Sequence, residues 1–214
     1  AVQAVARLFS PVTRRLFYPL LSHRLARTLQ ETRFQQVPEL RQDLPPGLIR
    51  PTVALHRGVE AIHWMLAYPW VVKTGASPTE TMDYYFSDAR PRHEFIAMEL
   101  LDNKSGAYSG FVVFSLSQKG SDVVIKTLDY AIQDAQQHQQ ILALAVHLGR
   151  KHKAAILEIP KEAASTLVGS WLGRLVLQKK QRIYQCHPCS NDSPLAGAWN
   201  DLTLHLYDGD MAFS

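Results

Sequence analysis

Two cysteines at a two-residue gap, Cys186 and Cys189, have the spacing of a zinc half-site or a redox pair. A closed zinc site needs two more ligands, and no second such pair exists; His187 and His205 are the nearest candidates. Two ordinary strand-end cysteines account for the same pattern. As a nucleophile Cys186 lacks a base, because the adjacent His187 points to the opposite face of a continuing strand. Asp208-Gly-Asp210 is an acidic turn, open to a cation, to a sugar hydroxyl or to no ligand. Asp129 and Glu158 are carboxylates set among apolar residues, and Tyr130 and Tyr184 carry hydroxyls in similar surroundings. Each also reads as a cap, an edge residue or a packed aromatic. Neither a Walker loop nor a dinucleotide fingerprint is present, so nothing supports nucleotide hydrolysis.

The elements that must position these residues lie between His93 and Pro160. Residues 93–101 alternate with period two and predict a strand. Asn103-Lys104-Ser105-Gly106 supplies a turn, since Gly106 tolerates the positive φ that closes a hairpin. Residues 110–117 and 123–132 are aromatic and β-branched, separated by Gly120-Ser121-Asp122, which makes three antiparallel strands in succession. After Asp134 the period becomes helical: Ile141, Leu142, Ala145, Val146 and Leu148 form one stripe, which Gly149 ends with Arg150, Lys151 and Lys153 near the negative pole. Residues 154–160 follow as a buried strand, and a strand, helix and strand in that order predict a parallel crossover. Residues 161–180 read as one further helix, then 181–186 and 202–207 as strands.

Upstream, residues 1–34 predict two or three short helices interrupted at Pro11 and Pro19, with Val5, Leu8, Phe9, Val12, Leu16 and Leu20 in one stripe. This is an arm to pack on the domain, on an upstream domain or on a twin subunit as a homodimer. A membrane-surface helix is the alternative, from arginines beside Leu, Phe and Tyr. Residues 37–51 are a Pro-rich linker, which gives two parts: 1–47, a basic arm and linker, and 48–214, the domain. Residues 52–55 predict a short strand and 57–67 a helix, with Trp64 and Trp70 as packing aromatics. Ser77 and Pro78 suit a helix start. The polar run Gln136-Gln-His-Gln-Gln140 reads as a solvated helix face.

At 214 residues and 46% apolar content the chain can bury a core without staples. Two cysteines make no disulfide framework, so a reducing cytoplasm is expected. No apolar run is long enough to span a membrane. Six arginines (7, 14, 15, 24, 27 and 33) against Glu31 make residues 1–34 carry +5 of a net +4, which leaves −1 elsewhere. A near-neutral domain with a basic leader gives no nucleic-acid partner. The first residue, Ala1, suggests a piece of a longer chain.

Three antiparallel strands, a crossover helix and a parallel strand resemble the core of the GNAT N-acetyltransferase superfamily. Arg57, His63-Trp64, Tyr68-Pro69, Gly110-Phe-Val-Val-Phe, Leu128-Asp129-Tyr130, Trp199 and Asp208-Gly-Asp210 resemble phrases in GNAT-like proteins of bacterial surface-polysaccharide loci. The resemblance implies an α/β (mixed α+β) fold, a mostly antiparallel sheet of six or seven strands with a splayed parallel pair and helices on both faces. It implies acyl transfer from acetyl-CoA or another acyl-CoA to an amine, an amino sugar among the candidates. The pantetheine arm would lie along Leu128 to Ala131, and the pyrophosphate would meet Ile132, Gln133, Asp134, Ala135 and Gln136 at the start of the helix. Asp129 and Glu158 would converge across the splay as candidates for the base, and Tyr130 or Tyr184 would substitute for the acid, a tyrosine that such proteins place on a later helix. The family's two loop glycines are missing from Tyr130-Ala-Ile-Gln-Asp-Ala-Gln-Gln137, where side chains crowd a phosphate and Asp134 repels it. That departure favours the alternative of a non-catalytic GNAT-like domain for substrate binding or interaction.

Overall fold

The computed structural model describes residues 2–7, 11–45, 47–49, 59–67, 71–73, 88–168 and 170–181. In chain order its elements are β1 (Val2–Arg7), α1 (Pro11–Gln30), β2 (Arg33–Val37), α2 (Val59–Ala67), β3 (Val71–Lys73), β4 (Asp88–Arg90) and β5 (His93–Leu101). There follow β6 (Tyr108–Lys119), β7 (Asp122–Ile132), α3 (Gln137–His152), β8 (Ile156–Pro160), α4 (Lys161–Val168), α5 (Trp171–Val176) and β9 (Leu177–Gln181). The fold is mixed α/β. Its main sheet has the order β2-β5-β6-β7-β8-β1-β9, in which only β7 and β8 run parallel, while β3 and β4 form a small parallel pair of their own.

The hairpins β5-β6 and β6-β7 and the crossover through α3 stand where residue periodicity puts them. Gly106 and Gly120 take positive φ in the two turns, as the hairpins require. Two cores flank the sheet. One lies under α1, α3 and α4 and contains Phe17, Leu21, Ile125, Ile132, Ile141, Leu157 and Leu167; the other lies under α2 and contains Leu40, Ile62, Ala97, Phe111, Val113, Leu128 and Ala131.

The amino-terminal region departs from the helical expectation. Residues 2–7 are a strand inserted between β8 and β9, and residues 11–30 are one helix of 20 residues. Pro11 occupies its first position, where a missing N–H costs nothing. Pro19 sits on the exposed side, one turn after exposed Arg15, and the helix continues past it to Gln30. The buried stripe is Phe17, Tyr18, Leu21 and Leu25, whereas Leu16 and Leu20 are 63% and 47% exposed. Between 37 and 49 the Pro-rich segment contributes Leu40 to the core.

Two helix ends also differ. Gly149 does not end α3, which runs on to His152 and closes with Lys153 in the left-handed region (φ 55°). A Cβ at Gly149 would press on Tyr18 and Leu157, so this glycine permits the approach of α1, whose Tyr18 hydroxyl donates to the Ala154 carbonyl at 2.7 Å. The helix expected over 161–180 is broken: Ser170 caps a new one, its hydroxyl accepting from the Gly173 amide at 3.0 Å, and the strand β9 already begins at Leu177. The expectations for residues 52–55, Trp70, Ser77, residues 182–186 with Tyr184, the Cys186/Cys189 pair, residues 202–207 and Asp208 to Asp210 lie outside the described residues.

Candidate functional site

The register of β6 on β7 slips in mid-strand. Val113 opposes Asp129 and Phe114 opposes Thr127, so Leu128 is an extra residue, a β-bulge. Alternation reverses across it: Ile125 faces the α3 core, Leu128 and Ala131 face the α2 core, and Tyr130 and Ile132 return to the α3 side. On its other edge β7 pairs with β8 only at Val124, Ile125 and Lys126, while β8 continues along β1 through Ile159 and Pro160. The two strands therefore part after Lys126 and Glu158. Residues 127–131 have β6 on one side and no strand on the other, among the described residues, until Ile49 pairs with Ile132.

At the mouth of this cleft the α2 face of the sheet carries a run of buried polar side chains. Directly opposed residues share a face, and the register gives the row Phe95, Ser115, Lys126, Glu158. Beside it run His93 with Ser117, and Ala97 and Val113 with Asp129. Phe95 packs on the α2 core, which fixes the face, and His93 meets the Phe95 ring edge-on at 4.9 Å. Lys126 is 3% and Glu158 6% exposed, with Nζ 3.8 Å from Oε2. Charges so buried are tolerated only in pairs, because desolvation otherwise drives them neutral. Asp129 is buried as well and accepts from the Tyr130 amide at 2.7 Å. A 500 Å³ cavity at the margin of this face is lined by Val37, Leu66, His93, Phe95 and Ala97 among others.

Asp129 and Glu158 thus share one face in adjacent rows, whereas Tyr130 is turned away from them. Its ring stands edge-on to His138 at 5.5 Å in the α3 core. Burial, aided by the charges of Glu162 and Asp129, raises its hydroxyl pKa well above the ordinary tyrosine value, so it stays protonated.

The far end of the cleft is built differently. Gln137, the first residue of α3, turns its side chain back into the loop. Its Oε1 accepts from the amides of Gln133 at 2.8 Å and Asp134 at 2.9 Å, and its Nε2 donates to Ser109 Oγ at 2.9 Å. The Gln136 amide donates to Asp134 Oδ1 at 2.8 Å, and those of Gln137 and His138 to the carbonyls of Asp134 and Ala135. A 720 Å³ cavity adjoins this loop, and its charged lining is Glu31, Asp102 and Asp134 against Lys104. Hydrogen bonds from the backbone and side chain of Ser105 hold the Asp102 carboxyl below its usual range.

A pyrophosphate needs free amides and positive charge, and in the loop of Ile132, Gln133, Asp134, Ala135 and Gln136 four of the five amides already have acceptors and no side chain is basic. The residues present do not fit the diphosphate of a coenzyme. Ile49 likewise takes the strand position beside Ile132 that an extended ligand arm would need on its way from the loop to Leu128.

Sequence reasoning missed Lys126, Gln137 and Ile49. A lone lysine inside the apolar run 123–132 was the available signal for the first. The other two depend on contacts that no local pattern encodes. Among the described residues no three His, Cys, Asp or Glu side chains gather as a metal site, and no helix is long and apolar enough to cross a membrane. No family model matches the chain, and comparisons with curated proteins and with solved structures likewise return no match.

Proposed function

We propose that the cleft between β7 and β8 is the reaction site of a GNAT-like N-acyltransferase that acylates an amine. The observation that carries this reading is the parting of the two strands at the Leu128 bulge, beside buried Asp129, Lys126 and Glu158. Among the described residues β8 pairs with β7 only as far as Lys126, and a thioester carbonyl lying along β7 beyond that point would be polarised by a backbone amide. An amine on the α2 face would lose its proton to Asp129 or Glu158 as its nitrogen attacks. Lys126 lies on the same face, its Nζ 3.8 Å from Glu158 Oε2. Hydroxyls of Ser115 and Ser117 on the same face suit a hydroxylated amine, such as an amino sugar.

The test is an acylation assay with small acetyl thioesters and a panel of amines and amino sugars. Asp129→Asn and Glu158→Gln are expected to lower turnover by about 10²–10⁴-fold with the circular dichroism unchanged. Full turnover in both variants would remove the proposed base. The closed loop before α3 favours a second reading, a GNAT-like domain that binds an amine or a protein without transferring anything. Under it the amine binds and no product forms with any thioester.

A further inference from the structure

We propose that the outer surface of α1 and α3 docks on the anionic surface of a lipid bilayer, with Leu16 and Leu20 entering the interface. The proposal does not depend on the acyl-transfer reading.

The two helices lie side by side on one face of the sheet. Tyr18 donates to the Ala154 carbonyl just past α3, and Phe17, Leu21 and Leu25 share a core with Ile141, Leu142 and Val146. Between them the helices carry Arg14, Arg15, Arg24, Arg27, Arg150 and Lys151 and not one Asp or Glu. The whole chain is only +4, so everything outside the two helices is net negative. Arg15, Arg24, Arg27, Arg150 and Lys151 are exposed, and Glu31, just past the end of α1, pairs with Arg27 at 2.7 Å. Positive charge is thus gathered on one layer, where its field attracts an anionic partner.

Charge alone suits any anion, and the leucines narrow the partner. A surface helix normally buries its apolar stripe and turns polar residues to water. In α1 the buried stripe is Phe17, Tyr18, Leu21 and Leu25, yet the opposite side begins with Leu16 and Leu20, one turn apart and 63% and 47% exposed. It continues through exposed His23, Arg24 and Arg27 at helical spacing. Such a stripe meets both parts of a bilayer surface: the leucines reach the acyl boundary while the guanidinium groups stay among the phosphates. A nucleic acid or an acidic sugar polymer has no use for the leucines. Pro19 does not interrupt the stripe, because the helix runs unbroken from Pro11 to Gln30. A 210 Å³ groove between the helices is lined by Ser22, Ala26, His147 and Arg150 among others, and Arg150 offers donors there to a lipid phosphate. The α2 face, with Lys126 and Glu158, lies on the other side of the sheet and is left clear of the bilayer.

The test is flotation of the 214-residue chain with vesicles of phosphatidylcholine, alone or mixed with phosphatidylglycerol. The bound fraction is expected to rise about tenfold or more with the anionic lipid and to fall as salt is raised. Leu16→Ala with Leu20→Ala changes two exposed positions and keeps every charge; it is expected to weaken binding about fivefold or more. Arg24→Gln is expected to weaken it about fivefold, whereas Arg33→Gln, at an exposed position of β2 outside the two helices, is expected to leave it unchanged. No binding to the anionic vesicles, or equal losses in the Arg24 and Arg33 variants, would overturn the proposal. A loss in Arg24→Gln with the leucine variant unchanged would overturn it too, and would assign the surface to a soluble polyanion. Sedimentation velocity without lipid is expected to show a monomer; a dimer that the leucine variant dissociates would give this face to a second copy of the chain instead.

Discussion

The two ends of the β7/β8 cleft satisfy their polar groups in opposite ways. At the bulge end the buried charges of Lys126 and Glu158 meet across two strands, 32 residues apart in the chain. At the loop end three amides are satisfied within a few residues, Gln133 and Asp134 by Gln137 and Gln136 by Asp134, and Ser109 holds Gln137 in place. Local satisfaction closes a site, because a ligand must compete with a partner that is always at hand. Long-range satisfaction of buried charge costs desolvation free energy and leaves groups that a substrate can engage. A protein keeps such a pair where it does something other than pack.

That contrast is broken most severely at Lys126. Lys126→Met leaves Glu158 buried without its ammonium partner, and a loss of about 3–5 kcal/mol is expected. In a chain of this size that lowers the melting temperature by roughly 10 °C. Lys126→Met with Glu158→Leu is expected to recover most of the loss, since the uncompensated charge is gone. A single variant as stable as the parent would mean that the pair is not the charged centre of the cleft mouth.

Gln137→Ala tests the other end, with a smaller effect. Two backbone donors and Ser109 lose their shared partner, which costs about 1–3 kcal/mol for groups left unsatisfied. Water reaches this loop, and Gln133 also donates to the Ser109 carbonyl at 2.9 Å, so the lower figure is expected. Amide exchange at Asp134 is expected to accelerate, while exchange at Ile125 in the sheet core does not. Gln137→Glu keeps the accepting oxygen and is expected to restore slow exchange at Asp134. Equal exchange in all three proteins would show that Gln137 does not close the loop.

What could be read from residues alone follows the same division. Strands β5, β6 and β7, helix α3 and strand β8 carry their own periodicity, and their hairpins and crossover are fixed by neighbours in sequence. Asp129 and Glu158 follow from the places on the parting strands that the resemblance implies, and the register sets both on one face. By contrast, β1 finds its partners about 150 or more residues downstream, at Ile156–Pro160 and Leu177–Gln181, and nothing in Val-Gln-Ala-Val-Ala-Arg announces that pairing. The bulge at Leu128 was illegible for a similar reason: only pairing with β6 shows which residue is extra. Tyr130 was misleading because a single bulge reverses the face of every residue after it. The missing glycines did announce the altered loop, but the replacement of phosphate by the Gln137 carboxamide needed the fold of the loop itself.

A second ion pair on the α2 face sharpens the comparison with the smallest expected effect. Glu99 opposes Phe111, and Phe111 opposes Ala131, so it lies in the row beside the closed end. Its carboxylate accepts from Arg41 Nε at 3.1 Å, from the second guanidinium nitrogen at 2.9 Å and from Gln35 at 3.0 Å. Arg41 is half exposed and stacks 4.2 Å over the Tyr108 ring. Burial pushes the Glu99 carboxyl up, and the hydrogen bonds from Arg41 and Gln35 more than offset it, so the group stays below the ordinary 4.5. A carboxyl whose folded value is depressed adds stability in full above its unfolded value, and that stability is lost as pH falls through the folded one. The contribution is expected to be about 1 kcal/mol, since the exposed side of Arg41 is screened by water. Glu99→Gln should therefore be less stable than the parent at neutral pH, and the gap should close on acidification below 4.5. Urea titrations of both proteins between neutrality and the acid limb read the gap directly; a gap that is constant with pH would show that Glu99 contributes by packing and not by charge.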